Sequence, residues 1–343
     1  MSFVANCVLT FTAGEAIEKY RAVYISDAST SPPTVKKALG SALKAAIGTC
    51  AELCASGDKI GINLFQCCGS LEIMANAAIT AGAAVYVSED GKIDDAGIGQ
   101  PIGGALDDTT ADGDVVEVLI SNSVSPANVA DKVSVFDDFL GYVDTGVWTK
   151  IVTDGGTVAV ADGAGGLLAL STVDSMDNDE VYVKSSDEAF LFAAGKPLHF
   201  KCRAKIVEAN TDDINAMIGI ANAVAADHLQ DNGAGPLASY SGACFFKVDG
   251  GTVWQAESSV GGTQVTDTDV GTRDTSYHVF EILFAPTSTT AATVYFILDG
   301  ALVASNAMTF TGATEMQICL GVKNGGANPE VMTVDYVYCE QAR

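Results

Sequence analysis

Residues 78–120 read AITAGAAVYVSEDGKIDDAGIGQPIGGALDDTTADGDVVEVLI, and this stretch decides the fold class. Two short β runs, Val85 to Ser88 and Val115 to Ile120, are joined by turn-rich sequence in which Ile98, Ile102 and Leu106 are the apolar punctuation. The first run meets Glu89-Asp90-Gly91-Lys92, and Asp-Gly beside alternating apolar residues is a hairpin signal because glycine takes positive φ without steric cost. A second Asp-Gly pair, Asp112-Gly113, precedes the later run. The segment reads as strand, turn, irregular crossing, turn, strand. Its charges are turn carboxylates, and it has no His, Cys, Arg or basic cluster, which is the composition of a β scaffold.

Outside this stretch, composition narrows the function classes. The 343 residues allow about two domains of ~150 residues each. The formal net charge is −25 and the sequence pI about 4.2, so phosphate backbones and anionic membrane surfaces are repelled. Up to residue 125, 7 Lys and Arg face 15 Asp and Glu, and beyond it 11 face 28, so neither part is a basic arm. Neither nucleic acid nor membrane is expected as a partner. Hydrophobic residues at 48%, charged residues at 18% and 35 glycines describe a folded, turn-rich chain rather than an acidic disordered one. Nine cysteines without CxxC pairs or Cys/His clusters read as buried thiols made in a reducing cytosol. Met1 to Thr10 has no positive n-region, and no apolar run reaches the ~18 residues of a membrane span.

Along the chain, Phe3 to Phe11 is a β-prone opening and Arg21 to Ser26 a strand. Thr34 to Ala51 has apolar residues at helical spacing, weakened by Gly40 and Gly48, and is expected to be β with a short helix. Asn122 to Asn128, small and polar with Pro126, is a linker, giving domains 1–121 and 134–343 joined by 122–133. After it, short β runs recur between Gly, Asp and Asn turns, as in two antiparallel sheets packed face to face. Within them Val294 to Leu298, Asp299-Gly300 and Ala301 to Val303 form a hairpin. The fold class is mainly β: a small β-rich N-terminal domain, then a two-sheet antiparallel sandwich.

Two resemblances follow from particular residues. Ala13-Gly14-Glu15-Ala16-Ile17, Arg21 to Ile25, Gly57 to Ile62, Ile79 to Tyr86, Ile102 to Leu106 and Gly113 to Val118 together resemble the head decoration (capsid cement) proteins of tailed bacteriophages, over the first third of the chain. The resemblance implies a β-tulip-like domain that forms a homotrimer on the outside of the head and binds the major capsid protein. It also implies that an N-terminal arm, Ser2, Phe3, Val4, Ala5 and Asn6, contacts the shell; the other reading of these residues is an ordinary first strand. Residues 134–343 are similar to concanavalin A-like (laminin-G-like) jelly rolls, through Phe136-Asp137-Asp138-Phe139 with Trp148, Gly165 to Leu170, Gly219-Ile220-Ala221, Tyr295 to Gly300 and Val334 to Val337.

Such a jelly roll could be a glycanase, which needs two carboxylates facing across a cleft. The Glu-x-Asp-x-Glu alternation of jelly-roll glucanases is absent, and the acidic cluster Asp174 to Glu180 is turn-like. Asp267 to Gly271 and Asp177 to Glu180 offer oxygens for calcium but do not continue into a full binding loop. The three histidines, His199, His228 and His278, stand apart from any Gly-x-Ser-x-Gly motif. No enzymatic activity, metal or cofactor is expected. For a glycan, an aromatic ring against the sugar face is required, and Trp254 with Tyr240 are the candidates; the other reading of Trp254 is that it packs on its own sheet. The expected function is therefore a virion structural protein, made in the host cytoplasm, that stabilises the outside of a phage head. The alternative is an adhesin for host-surface glycan, with a polysaccharide-degrading enzyme less favoured.

Overall fold

Period-two alternation is the local rule throughout, because successive side chains of a strand point to opposite faces. In Val115–Ile120, Val116, Val118 and Ile120 are buried while Val115, Glu117 and Leu119 are exposed. The computed structural model describes residues 8–39, 46–65, 69–96, 101–120, 132–173, 177–208 and 212–343. Among them there is no α-helix. The chain divides into two compact units, residues 1–128 and 129–343.

The first unit contains β1 (Val8–Ala13), β2 (Ala22–Asp27), β3 (Thr34–Lys37), β4 (Gly48–Cys50), β5 (Lys59–Leu64), β6 (Ser70–Met74), β7 (Ala84–Val87), β8 (Ile93–Asp94), β9 (Gly103–Ala105) and β10 (Val115–Ile120). A closed barrel runs β1-β3-β2-β4-β5, with β1 and β3 parallel, and a five-stranded sheet runs β6-β10-β9-β7-β8. The barrel interior is Phe11, Ile17, Val23, Val35, Ile60 and Ile62, with Cys50 and Cys54. The Asp90-Gly91 turn lies against the barrel: Lys37 Nζ meets Asp90 Oδ1 at 2.5 Å and the Gly91 amide donates to the Ala38 carbonyl at 2.7 Å. Gly91 has φ +70°, and a Cβ there would stand 2.5 Å from the Ala22 carbonyl oxygen, so this position requires glycine.

The second unit contains β11 (Lys132–Asp137), β12 (Trp148–Val152), β13 (Thr157–Ala161), β14 (Leu167–Ser171), β15 (Glu180–Ser185), β16 (Phe190–Phe192), β17 (Leu198–Glu208), β18 (Ile214–Ala221), β19 (Gly242–Lys247), β20 (Val253–Val260), β21 (Thr263–Thr272), β22 (His278–Pro286), β23 (Ala291–Leu298), β24 (Ala301–Thr309), β25 (Thr314–Asn324) and β26 (Glu330–Ala342). One sheet runs β13-β14-β26-β17-β22-β23-β24, with β11 also on β26. The other runs β12-β15-β25-β18-β19-β20-β21, with β16 also on β25. The two pack as a jelly roll around one apolar core. Phe280 is its hub, with Trp254 at 4.8 Å and Phe245 at 5.3 Å between ring centroids, both edge-on. At one end Lys247, fully buried on β19, reaches Glu208 of β17 at 3.0 Å, and Arg273 pairs with the same carboxylate. The expected hairpin turn is present, with Asp299 at φ 50° and Gly300 at φ 77°.

The ends of the expected mixed segment 34–51 are strands β3 and β4, and the short helix expected between them falls on residues 40–45, outside the described residues. Ser2, Phe3, Val4, Ala5 and Asn6 are likewise outside them, as are 122–131 of the expected linker. Cys50, Cys54, Cys202, Cys244, Cys319 and Cys339 are free and buried, and burial pushes the Cys50 thiol up to about 11.

Phe280→Ala removes the ring that both tryptophan and phenylalanine pack on, and is expected to destabilise the second unit by ~3–5 kcal/mol. Urea denaturation followed by tryptophan fluorescence measures it.

Candidate functional site

The sandwich has two outward sheet faces, and they differ in access. On the face of the β18-containing sheet turned away from the core, Tyr182, Met217, Cys244, Phe246 and Cys319 pack with Val224, Leu229 and Tyr240 of the segment 222–241. That segment connects β18 to β19 and covers the sheet, which is why all eight residues of β18 are buried.

An ammonium group holds the cover down. Lys323 of β25 is fully buried, and its Nζ lies 2.6 Å from Asp231 Oδ1, 3.0 Å from Asp227 Oδ1, 3.1 Å from the Leu229 carbonyl and 3.9 Å from Glu180 Oε2. Burial pulls the Lys323 pKa down, but the hydrogen bonds to Asp231 and Asp227 outweigh it and hold the group above the ordinary lysine range. Glu180 also accepts the Asp227 amide at 2.8 Å, and the Leu229 amide donates to the Tyr182 hydroxyl at 2.8 Å. Burial raises the Glu180 carboxyl despite these partners.

Beneath the cover sits a closed acid–base group. His228 is 1% exposed, its ring edge-on to Tyr240 at 5.5 Å, with neither ring nitrogen hydrogen-bonded. Burial lowers its pKa to about 4, so it is neutral at pH 7. The Tyr240 hydroxyl donates to Glu257 at 3.0 Å, and Glu257 also accepts from Gln264 at 2.9 Å and Thr266 at 2.5 Å. Burial raises the Glu257 carboxyl against these three donors.

These positions correct the glycan choice made from sequence. Trp254 is 1% exposed in the core between the sheets, and Tyr240 is 2% exposed on the inner side of the covering segment, so neither presents a ring to a sugar. Of the oxygen-rich stretches, Asp177 to Glu180 leads into Lys323, whose ammonium stands among the carboxylates. Asp267 to Gly271 lies at a bulge of β21. Among the described residues no group of three or more His, Cys, Asp or Glu is placed to hold a metal ion. His199 faces Glu281 at 3.2 Å, and His278 lies between Asp274 and Asp299.

The opposite face is open and aromatic. On β17, Leu198, Phe200, Cys202, Ala204 and Ile206 enter the core, so His199, Lys201, Arg203 and Lys205 point outward. Tyr338 and Tyr336 of β26 stand opposite Lys201 and Arg203, and Phe136 of β11 stands opposite Tyr338. Directly paired residues share a face. Phe136 is 65% exposed, and the Tyr338 ring stands edge-on to His199 at 5.8 Å. Tyr277, just before β22, carries the Arg203 guanidinium at 4.4 Å and Lys205 Nζ at 4.9 Å over its ring. Sequence reasoning passed over these residues because the cations of β17, the tyrosines of β26, Tyr277 and Phe136 come from four separate stretches of the chain. The readable signal was the strict alternation of cation and hydrophobe from Leu198 to Ile206.

No family model matches the chain, and no curated protein matches it. Among solved structures it is similar to the endo-1,3-beta-glucanase of Streptomyces sioyaensis (16% identity, 65% of this chain and 99% of that chain, TM-score 0.45) and to the carbohydrate recognition domain of Emp47p (11%, 63% and 100%, 0.43). It is also similar to the N base of head fibre gp8.5 of bacteriophage phi29 (19%, 34% and 94%, 0.29). The expectation of no enzymatic activity is corrected: the solved structures similar to this chain include an endo-1,3-beta-glucanase as well as a carbohydrate recognition domain.

Two outcomes test the covered face. Lys323→Met leaves Asp227 and Asp231 without their ammonium, and limited proteolysis is expected to cleave within 222–241 in the variant and not in the wild type. His228 has a folded pKa of about 4, held below the ordinary 6.5 of histidine by burial, so the unfolded chain binds its proton first on acidification. Its contribution is complete above pH 6.5 and falls as pH drops toward 4, by about 3 kcal/mol. Glu180 and Glu257, both raised, have the opposite slope. The difference between wild type and His228→Leu in urea titrations from pH 7 to 4 isolates the histidine.

Proposed function

We propose that this chain is a surface protein of a tailed-phage virion. Its first unit assembles as a homotrimer on the outside of the head, contacts the major capsid protein and stabilises the shell. Its second unit displays a jelly roll that binds glycan on the host surface. The first part is supported by the glycine-and-aliphatic spacings shared with head decoration proteins, and the second by the open face of Phe136, Tyr336, Tyr338 and Tyr277.

The single observation that carries the assembly role is the outward side of β10. Its inward residues fill the core of the five-stranded sheet, yet Val115 and Leu119 on the outward side are 41% and 53% exposed. Leu106 at 47% lies just beyond β9, the strand paired with β10. Apolar side chains repeated on one sheet face favour association with another protein surface. A trimer attached at several points is retained by effective concentration, and binding to the assembled shell stabilises that state by mass action.

Light scattering of the purified chain is expected to give the mass of three 35.3 kDa subunits, and the protein is expected to co-sediment with intact heads. Leu119→Asp is expected to yield monomer with an unchanged circular dichroism spectrum. A wild-type monomer that stays in the supernatant overturns the proposal.

A further inference from the structure

The open face is built in two layers. Carboxylates lie low: the Glu281 and Asp335 side chains are 12% and 20% exposed, while Lys201 and Arg203, which they pair with, are 33% and 38% exposed. Lys201 Nζ is 3.0 Å from Glu281 Oε1, and Arg203 pairs with Asp335. At the edge of the same face, Lys132 meets Glu340 at 2.8 Å, with the lysine again the more exposed partner, 24% against 17%. Burial alone raises the Glu281 carboxyl, but His199 and Lys201 hold it below the ordinary range, so it stays ionised beneath its cations. Lys205 rests on the Tyr277 ring. Solvent therefore meets ammonium, guanidinium and aromatic groups first.

The shape of this array is linear. From His199 to Lys205 there are six residue steps, ~20 Å at ~3.3 Å per residue, with Tyr338, Tyr336 and Tyr277 beside it and Phe136 beyond Tyr338. Rings supply flat apolar surface for the C–H face of a sugar, and the cations supply partners for its acidic substituents. The chain's net charge of −25 does not cancel this, because at physiological ionic strength charges beyond ~8 Å are screened and the local layer governs.

We propose that the outward face of β17, flanked by β26 and β22 with β11 beyond β26, is a binding site for a linear anionic polysaccharide, its uronate carboxylates on Lys201, Arg203 and Lys205 and its rings on Phe136 and Tyr338. This rests on the glycan-binding part of the function proposed above and names the ligand class.

Affinity electrophoresis of the full chain through gels containing polygalacturonate, dextran or a thymidine homopolymer tests it. Retardation is expected in polygalacturonate alone, weakened at least ~10-fold in Arg203→Gln/Lys205→Gln and in Phe136→Ser, and reduced by added salt. Both variants are surface changes, and thermal melting like that of the wild type establishes that they fold. Retardation by dextran without polygalacturonate overturns the anionic assignment while leaving glycan binding standing. Retardation by neither removes both. Equal retardation by the thymidine homopolymer overturns the glycan assignment, and retardation that survives in both variants overturns the site.

Discussion

Strand β17 has to satisfy two surroundings at once, and the second unit is arranged around that requirement. It is paired along its length with β26 and over much of it with β22, so its backbone is fixed on both sides. A one-residue slip would carry Lys201 and Arg203 into the core and Phe200 and Cys202 out of it. Burying an unpaired cation costs several kcal/mol, so the register is set by side-chain chemistry as firmly as by hydrogen bonds. The display of cations and rings is thus a by-product of the same alternation that builds the core.

The other sheet solves the same problem differently. Over β18 both of its sides are dry, one against the opposing sheet and one against 222–241, and two lysines there find carboxylate partners within the fold. Lys247 closes one end through Glu208, and Lys323 binds the covering segment to β25. Lys247 and Glu208 are both buried, whereas Lys323 is buried and its aspartates reach solvent, so in either case losing the carboxylate partner strands an ammonium inside the fold. Their role is to fix which arrangement of the segment is allowed.

Much of the fold was legible in the chain, because its evidence is local. Asp90-Gly91 and Asp299-Gly300 have the positive φ that their residue types suggest, and the alternation in Val115–Ile120 and Leu198–Glu208 fixes strand and face together. The site was not legible in the same way. Trp254 stood in a glycine-rich stretch, Gly250 to Gln255, yet its ring points into the core between the sheets and packs on Phe280. Nothing near residue 240 announces that 222–241 folds down onto the sheet and buries the Tyr240 ring. Phe136 entered only as part of the jelly-roll resemblance, and its pairing opposite Tyr338 with 65% exposure is what places it on the outer face. Lys323 gave no warning either, since Asp227 and Asp231 lie about a hundred residues earlier.

Lys323 has one more consequence. Where a protein clamps a loop with a divalent ion, the clamp can be washed out by chelators or starved in soft water. Here the positive centre is covalently attached to the sheet it secures. The fastening therefore accompanies the polypeptide wherever it goes, indifferent to the hardness of the medium and answerable only to the acidity that would discharge its carboxylate partners.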